Sequence, residues 1–201
     1  MPESLEDEVA HYDILSRELV GDGRFFSLVR ETVDYGGVEI TREFLDHPGA
    51  VAVLALDDDD RVLLIRQYRH PLRSREWELP AGLLDVANEP RVNAAQRELA
   101  EETGMAASQW HELVELATSP GGSNEIVTVF LARGLVEVAS DYARDAEEAD
   151  IEVRWAPIAD VGDAASAGQL RNGILIAGVF AAIAARANGW SALRAAEPLN
   201  T

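Results

Sequence analysis

Between residues 11 and 46, apolar and polar positions alternate in three runs, HYDILSRELV, RFFSLVRETVDY and EITREFLD, around Gly21-Asp22-Gly23 and Gly36-Gly37. A two-residue period broken by glycine-rich turns predicts a meander of antiparallel strands. After Pro48-Gly49 the pattern becomes continuously apolar in AVAVLAL, passes through the aspartates of residues 57–60, and resumes in RVLLIRQYR. The two runs read as a buried hairpin, and the aspartates as solvated turn residues rather than a metal site. Leu79-Pro80-Ala81-Gly82 reads as a loop. Pro90 suits the first turn of a helix and Gly104 its stop, which predicts a helix over roughly residues 90–103 with Val92, Ala95 and Leu99 facing the core. QWHELVELAT and EIVTVFLAR read as strands around Ser119-Pro120-Gly121-Gly122, and residues 139–150 as an acidic loop. IEVRWA is a last strand, Pro157 opens a short helix, and residues 172–187 form a final apolar helix. Strands and helices mix without regular βαβ alternation, which argues for an α+β or mixed-sheet sandwich and against a Rossmann fold.

With 201 residues, 47% hydrophobic and 26% charged, the chain suits one globular domain with room for an added terminal subdomain. It has no cysteine, which excludes disulfides and thiolate metal sites. The acidic start MPESLEDEVAHYD has neither the basic nor the apolar stretch of a signal peptide. The longest apolar run, residues 174–185, is shorter than the roughly 20 residues that cross a bilayer. A cytoplasmic protein with no membrane partner is expected. The formal charge of −19 argues against nucleic acid as a partner, since a phosphate backbone needs a basic footprint. A small phosphorylated ligand would need local cations, either arginines or bound metal.

Candidate chemistry concentrates in Arg97-Glu98-Leu99-Ala100-Glu101-Glu102. On a helix, Glu98 and Glu102 lie one turn apart with Glu101 beside them, on a stripe bordering the Val92/Ala95/Leu99 face. Like charges at this spacing repel by about 0.2–0.5 kcal/mol per pair, and the last turn of a helix disfavours anions. A compensating cation is needed, and hard carboxylate oxygens suit Mg²⁺ or Mn²⁺. Taken alone, the cluster reads more simply as a solvated acidic face with Arg97 paired to Glu101.

The surrounding residues change that reading. Gly82, Glu89, Arg97, Glu98, Leu99, Glu101, Glu102, Gly104 and Met105 resemble the Nudix box, G-x5-E-x7-R-E-U-x-E-E-x-G-U with U aliphatic. Every spacing from Glu89 to Met105 agrees, and the departure is six residues in place of five between Gly82 and Glu89, read as a lengthened loop. The resemblance implies an α+β fold, a Nudix-like α/β/α sandwich with a mixed sheet, over residues 48–201. Residues 1–47 resemble the N-terminal antiparallel subdomain through which such enzymes dimerise. It also implies that Glu98 and Glu102 ligate divalent metal, with Glu101 assisting and the Ala81 carbonyl as a further ligand. Mg²⁺ is the expected ion and Mn²⁺ the alternative, acting as a Lewis acid on pyrophosphate oxygens. Gly82, Glu89, Arg97 and Gly104 would be structural.

Trp77-Glu78-Leu79-Pro80-Ala81-Gly82 before the box, and Ser119-Pro120-Gly121-Gly122 after it, resemble the ADP-ribose pyrophosphatase branch, as does Pro120 fifteen residues past Met105. That resemblance implies a homodimer hydrolysing ADP-ribose to AMP and ribose 5-phosphate. The catalytic base would be a glutamate of the late acidic loop, Glu147 or its neighbour Glu148. Arg69 would contact phosphate, and Arg42 and Glu43 would reach the nucleotide across the dimer. Phe25 or Phe26 offers a flat face to adenine, and Leu83 and Gly122 would line the pocket. Two other readings stand beside this one. The same chemistry serves another nucleoside diphosphate sugar or a dinucleotide. A non-catalytic ADP-ribose-sensing domain is the other, and the presence of all three box glutamates speaks against it.

Overall fold

The alternating N-terminal segment folds as antiparallel strands. The computed structural model describes residues 5–139 and 150–196, and its first strands are β1 (Asp13–Asp22), β2 (Ser27–Asp34) and β3 (Glu39–Asp46), in the order β1-β2-β3. Tyr35 N–H donates to the Val38 carbonyl at 2.8 Å and closes the turn at Gly36-Gly37. Met1–His47 forms one compact unit together with Ser119–Asn124. That second segment joins the end of β3: Leu45 N–H donates to the Gly122 carbonyl at 2.9 Å, and His47 N–H to the Asn124 side chain at 2.8 Å. Every residue of β1 is exposed, the apolar Ile14, Leu15, Leu19 and Val20 included.

Pro48–Thr118 with Glu125–Thr201 forms the second unit. It contains β4 (Ala50–Ala55), β5 (Arg61–Arg69), β6 (Ser74–Glu78), β7 (Ala81–Leu83), α1 (Arg91–Thr103), β8 (Met105–Ala117) and β9 (Ile126–Glu137). β10 (Glu152–Pro157), α2 (Ile158–Ser166), α3 (Gly173–Ala187) and the two-residue β11 (Arg194–Ala195) follow. One sheet has the order β11-β8-β9-β4-β7, with β4 parallel to β9 and the other pairs antiparallel, so it is mixed. The other is the antiparallel β10-β5-β6.

β4 is apolar at every position because both of its faces are covered. Ala52 and Leu54 pack into one cluster with Leu175 and Val179 of α3 and Val161 of α2. Val51, Val53 and Ala55 pack into another with Val92, Ala95 and Leu99 of α1. The result is the expected α/β/α sandwich, with helices on both sides of a mixed sheet.

The expected hairpin of AVAVLAL with RVLLIRQYR does not form. β4 and β5 lie in different sheets, and the pairing between the two segments is a bridge from Leu56 to Val62, next to the turn closed by Asp57 N–H to the Arg61 carbonyl at 3.0 Å. β4 takes β9 and β7 as its neighbours and β5 takes β10 and β6, which commits the two strands to different sheets. Part of the expected loop at Leu79-Pro80-Ala81-Gly82 is strand, since Ala81 and Gly82 belong to β7. α1 begins after Pro90 and ends at Gly104, whose φ of 70° is the left-handed geometry a helix stop requires. Among the described residues no helix is long and apolar enough to cross a membrane.

Candidate active site

Among the described residues β7 is the last strand of its sheet, so one edge of it has no strand partner there. Val53 N–H donates to the Pro80 carbonyl at 2.8 Å and Leu84 N–H to the Gly49 carbonyl at 3.1 Å. Antiparallel alternation then turns the N–H and C=O of Ala81 away from β4, toward the outer edge. A buried amide there needs an acceptor. Glu102, only 8% exposed, supplies it: its Oε2 accepts from Ala81 N–H at 2.9 Å. A buried carboxylate and the Ala81 carbonyl therefore share one edge. The neighbouring position is glycine, and a Cβ on Gly82 would fall within the carboxyl group of Glu98.

Arg97 ties α1 to the preceding loop. Its Nε and Nη2 donate to the two carboxylate oxygens of Glu89 at 3.2 and 3.0 Å. The extra residue of that loop is absorbed in a turn, with Asn88 at φ 62° and Glu89 N–H bonded to the Val86 carbonyl at 3.2 Å. Arg97 Nη1 donates to Glu98 Oε1 at 2.6 Å and lies 3.5 Å from Glu101 Oε2. The hydrogen bonds to Glu89 raise the Arg97 pKa above its ordinary value, burial opposes them, and Glu98 adds to the rise.

Three carboxylates sharing one guanidinium keep an excess of negative charge. As the side chains stand, no three acidic or histidine groups among the described residues gather closely enough to hold an ion. Glu98 and Glu101 are turned toward Arg97 instead. The donor chemistry nevertheless suits a hard divalent cation, being three carboxylates and a peptide carbonyl, all oxygen. To hold an ion there, Glu98 and Glu101 would have to swing from the guanidinium toward the edge that Glu102 already occupies.

Gly82 also lines a cleft of about 440 Å³, with Ala81, Leu83, Arg69, Glu78, Glu125 and Asn172 among its walls. Arg69 ends β5 and grips Glu78, Nε lying 2.9 and 3.2 Å and Nη2 2.6 Å from its carboxylate oxygens. The structure thus brings Arg69, Ala81, Gly82 and Leu83 together, with Glu98 against Gly82. Arg42, Glu43, Phe25 and Gly122 belong to the first unit. There Arg42 donates to the Thr41 carbonyl at 2.8 Å, and Glu43 accepts from Arg30 at 2.8 Å. Phe25 is half exposed, with the Arg24 guanidinium 5.0 Å from its ring centre, while Phe26 stacks on His47 at 6.4 Å. Glu147 and Glu148 lie outside the described residues.

The sequence reading missed Glu78, Glu125 and Asn172 as cleft residues. For Glu78 a signal existed. In Glu76-Trp77-Glu78 two acids fall on one face of a strand just before the apolar Leu79, and both are buried. Asn172 caps α3 by accepting from Leu175 N–H at 2.9 Å, a role its place before an apolar helical run foretells.

An α/β/α sandwich whose helix carries three glutamates, one of them bonded to a sheet edge, beside an arginine-bearing cleft, has the chemistry of one class: cation-assisted hydrolases of phosphate compounds. The model of the NUDIX domain matches residues 46–176. The chain is 47% identical over 171 residues to the ADP-ribose pyrophosphatase of Mycobacterium tuberculosis, covering 85% of this chain and 82% of that protein. It is 38% identical over 135 residues to the ADP-ribose pyrophosphatase of Bacillus subtilis, covering 67% and 72%. A solved crystal structure of an ADP compounds hydrolase superposes with a TM-score of 0.74 at 22% identity, over 92% of this chain and 99% of that one, and speaks to the fold. The chain belongs to the Nudix family and is a hydrolase. Dependence on a divalent metal comes with that membership.

Proposed function

We propose that the protein is a cytoplasmic, homodimeric, Mg²⁺-dependent enzyme that hydrolyses the pyrophosphate bond of ADP-ribose to AMP and ribose 5-phosphate. The observation that carries this reading is the sheet edge where Glu102 holds Ala81 and Glu98 abuts Gly82, directly beside the cleft of Arg69. The 47% identity to an ADP-ribose pyrophosphatase over most of both chains supports the substrate. Exposed apolar side chains along β1, such as Leu19 at 59%, support an interface with a second copy.

Glu98, Glu101, Glu102 and the Ala81 carbonyl would hold the ion, and Arg97 with Glu89 would keep helix and loop in register. When bound, Mg²⁺ supplies Lewis acidity toward the pyrophosphate oxygens and eases deprotonation of water. Arg69 faces the diphosphate and orients it, as a guanidinium fork suits phosphate oxygens. Water adds to one phosphorus as the bridging P–O bond breaks. Its proton passes to a glutamate of the late acidic loop, Glu147 with Glu148 as alternative. Arg42, Glu43, Phe25, Leu83 and Gly122 would complete the nucleotide pocket, the first two across the dimer.

Incubation with ADP-ribose and Mg²⁺ is expected to release AMP and ribose 5-phosphate in equal amounts, followed by chromatography. No AMP at any metal concentration, or faster turnover of other nucleotide sugars across a panel, would sink the substrate assignment. Of the two loop variants, Glu147→Gln is expected to lower kcat by about 10²–10⁴-fold, the range for a positioned general base. Glu148→Gln should stay near the wild-type rate. The reverse order in steady-state kinetics would move the base to Glu148.

A further inference from the structure

We infer that Glu78 is a positioning residue: it fixes the plane of the Arg69 guanidinium at the cleft and thereby sets the affinity for the diphosphate. This rests on the proposal that the cleft takes a nucleoside diphosphate. The Glu78 side chain is 5% exposed, whereas that of Arg69 is 43% exposed. Both line the cleft. A buried carboxylate is costly unless it is paired and hydrogen-bonded, and Glu78 is both. It accepts from Arg69 through Nε and Nη2, and from the buried Gln67 at 3.3 Å.

The asymmetry of the pair carries the inference. A cation present only to balance a buried acid would be expected to sink beside it, yet Arg69 stays at the mouth of the cleft. Gripping the guanidinium along its Nε–Nη2 side stops rotation about the last bonds of the side chain. The direction of its Nη1 side is then set before any ligand arrives, which lowers the ordering cost of binding. The same strand repeats the device. Glu76, two residues earlier on the same face of β6, is buried and accepts from Arg171 at 2.6 Å, beside the cleft residue Asn172. β6 therefore holds two walls of the cleft through buried acids.

The sign of one mutational effect separates positioning from simple charge. If Glu78 acted only as a negative charge near an anionic ligand, its removal would tighten binding. Positioning gives the opposite sign. Glu78→Gln, Arg69→Ala and the double variant are compared by KM and kcat for ADP-ribose with Mg²⁺, by calorimetric Kd for ADP-ribose without metal, and by thermal melting. Glu78→Gln is expected to raise KM and Kd about tenfold with kcat within about twofold of wild type, the pattern of lost uniform binding. In the Arg69→Ala background it should cause no further loss, since the two act as one unit. An unchanged or lowered KM, or penalties that add, would overturn the inference. So would a fall in melting temperature with KM unmoved, the mark of a merely structural acid. If Glu78→Gln does not melt cooperatively, Glu78→Asp, which keeps the charge but shortens its reach, is read by the same criteria. A wild-type protein inert toward ADP-ribose overturns the proposed function and this inference together. Wild-type turnover with additive penalties overturns this inference alone.

Discussion

Glu98→Gln and Glu102→Gln are each expected to lower kcat on ADP-ribose by roughly 1,000-fold, the scale of several kcal/mol of lost Lewis-acid stabilisation, while the protein stays folded. The fold should survive for a specific reason in each case. In Glu102→Gln the new amide oxygen can still accept from Ala81 N–H, the contact that holds β7 to α1. Glu98→Gln removes one of three carboxylates crowded on Arg97, so it relieves repulsion as well as losing an ion pair. Initial rates at saturating Mg²⁺ and melting followed by circular dichroism separate the two quantities. Near-wild-type rates in either variant would remove that glutamate from the metal site, and a collapse of the melting transition would make it a structural residue instead.

Gly82→Ala should lower the rate sharply although it adds a single methyl group. The added methyl would occupy the space of the Glu98 carboxyl group, the far end of a flexible side chain, so the backbone has no need to move. Glu98 must give way. A displacement of about 1 Å in a reacting group can cost on the order of 10²-fold in rate, and that is the expected loss here. The melting temperature should change little, because Gly82 lies at a sheet edge and fills no core position. Steady-state kinetics showing a rate close to wild type would mean that the Glu98 carboxylate does not depend on the space over Gly82 when it holds the ion.

How much of this was legible in the sequence depended on whether the cause was local. α1 could be read almost to the residue, because Pro90, Gly104 and the Val92/Ala95/Leu99 stripe are all short-range signals. The spacing of Glu98, Glu101 and Glu102 fixed their helix face for the same reason, but by itself it read as a solvated stripe, and only the resemblance of the surrounding residues to the Nudix box pointed to a metal. β4 was recognisable as a strand buried on both sides, but its partners were not, since pairing with β9 joins residues 50–55 to residues 127–132. Proximity in the chain suggested β5 instead, and the polar turn at residues 57–60 turned out to carry the chain between sheets. β6 escaped notice because its sequence, SREWE, looks like surface. Its buried acids take their ion pairs from Arg69 and Arg171, and Arg171 lies 95 residues from Glu76. Hydrophobic patterning cannot register a partner at that distance.

The central claim, that α1 gathers a divalent ion against the Ala81 edge, is tested most directly by anomalous diffraction from crystals grown with Mn²⁺ and a non-hydrolysable ADP-ribose analogue. The expected result is a manganese peak within coordination distance of the Glu98 and Glu102 carboxylates and the Ala81 carbonyl, with the diphosphate of the analogue against it. A fully occupied analogue whose manganese lies elsewhere, leaving Glu98 on Arg97, would contradict the account.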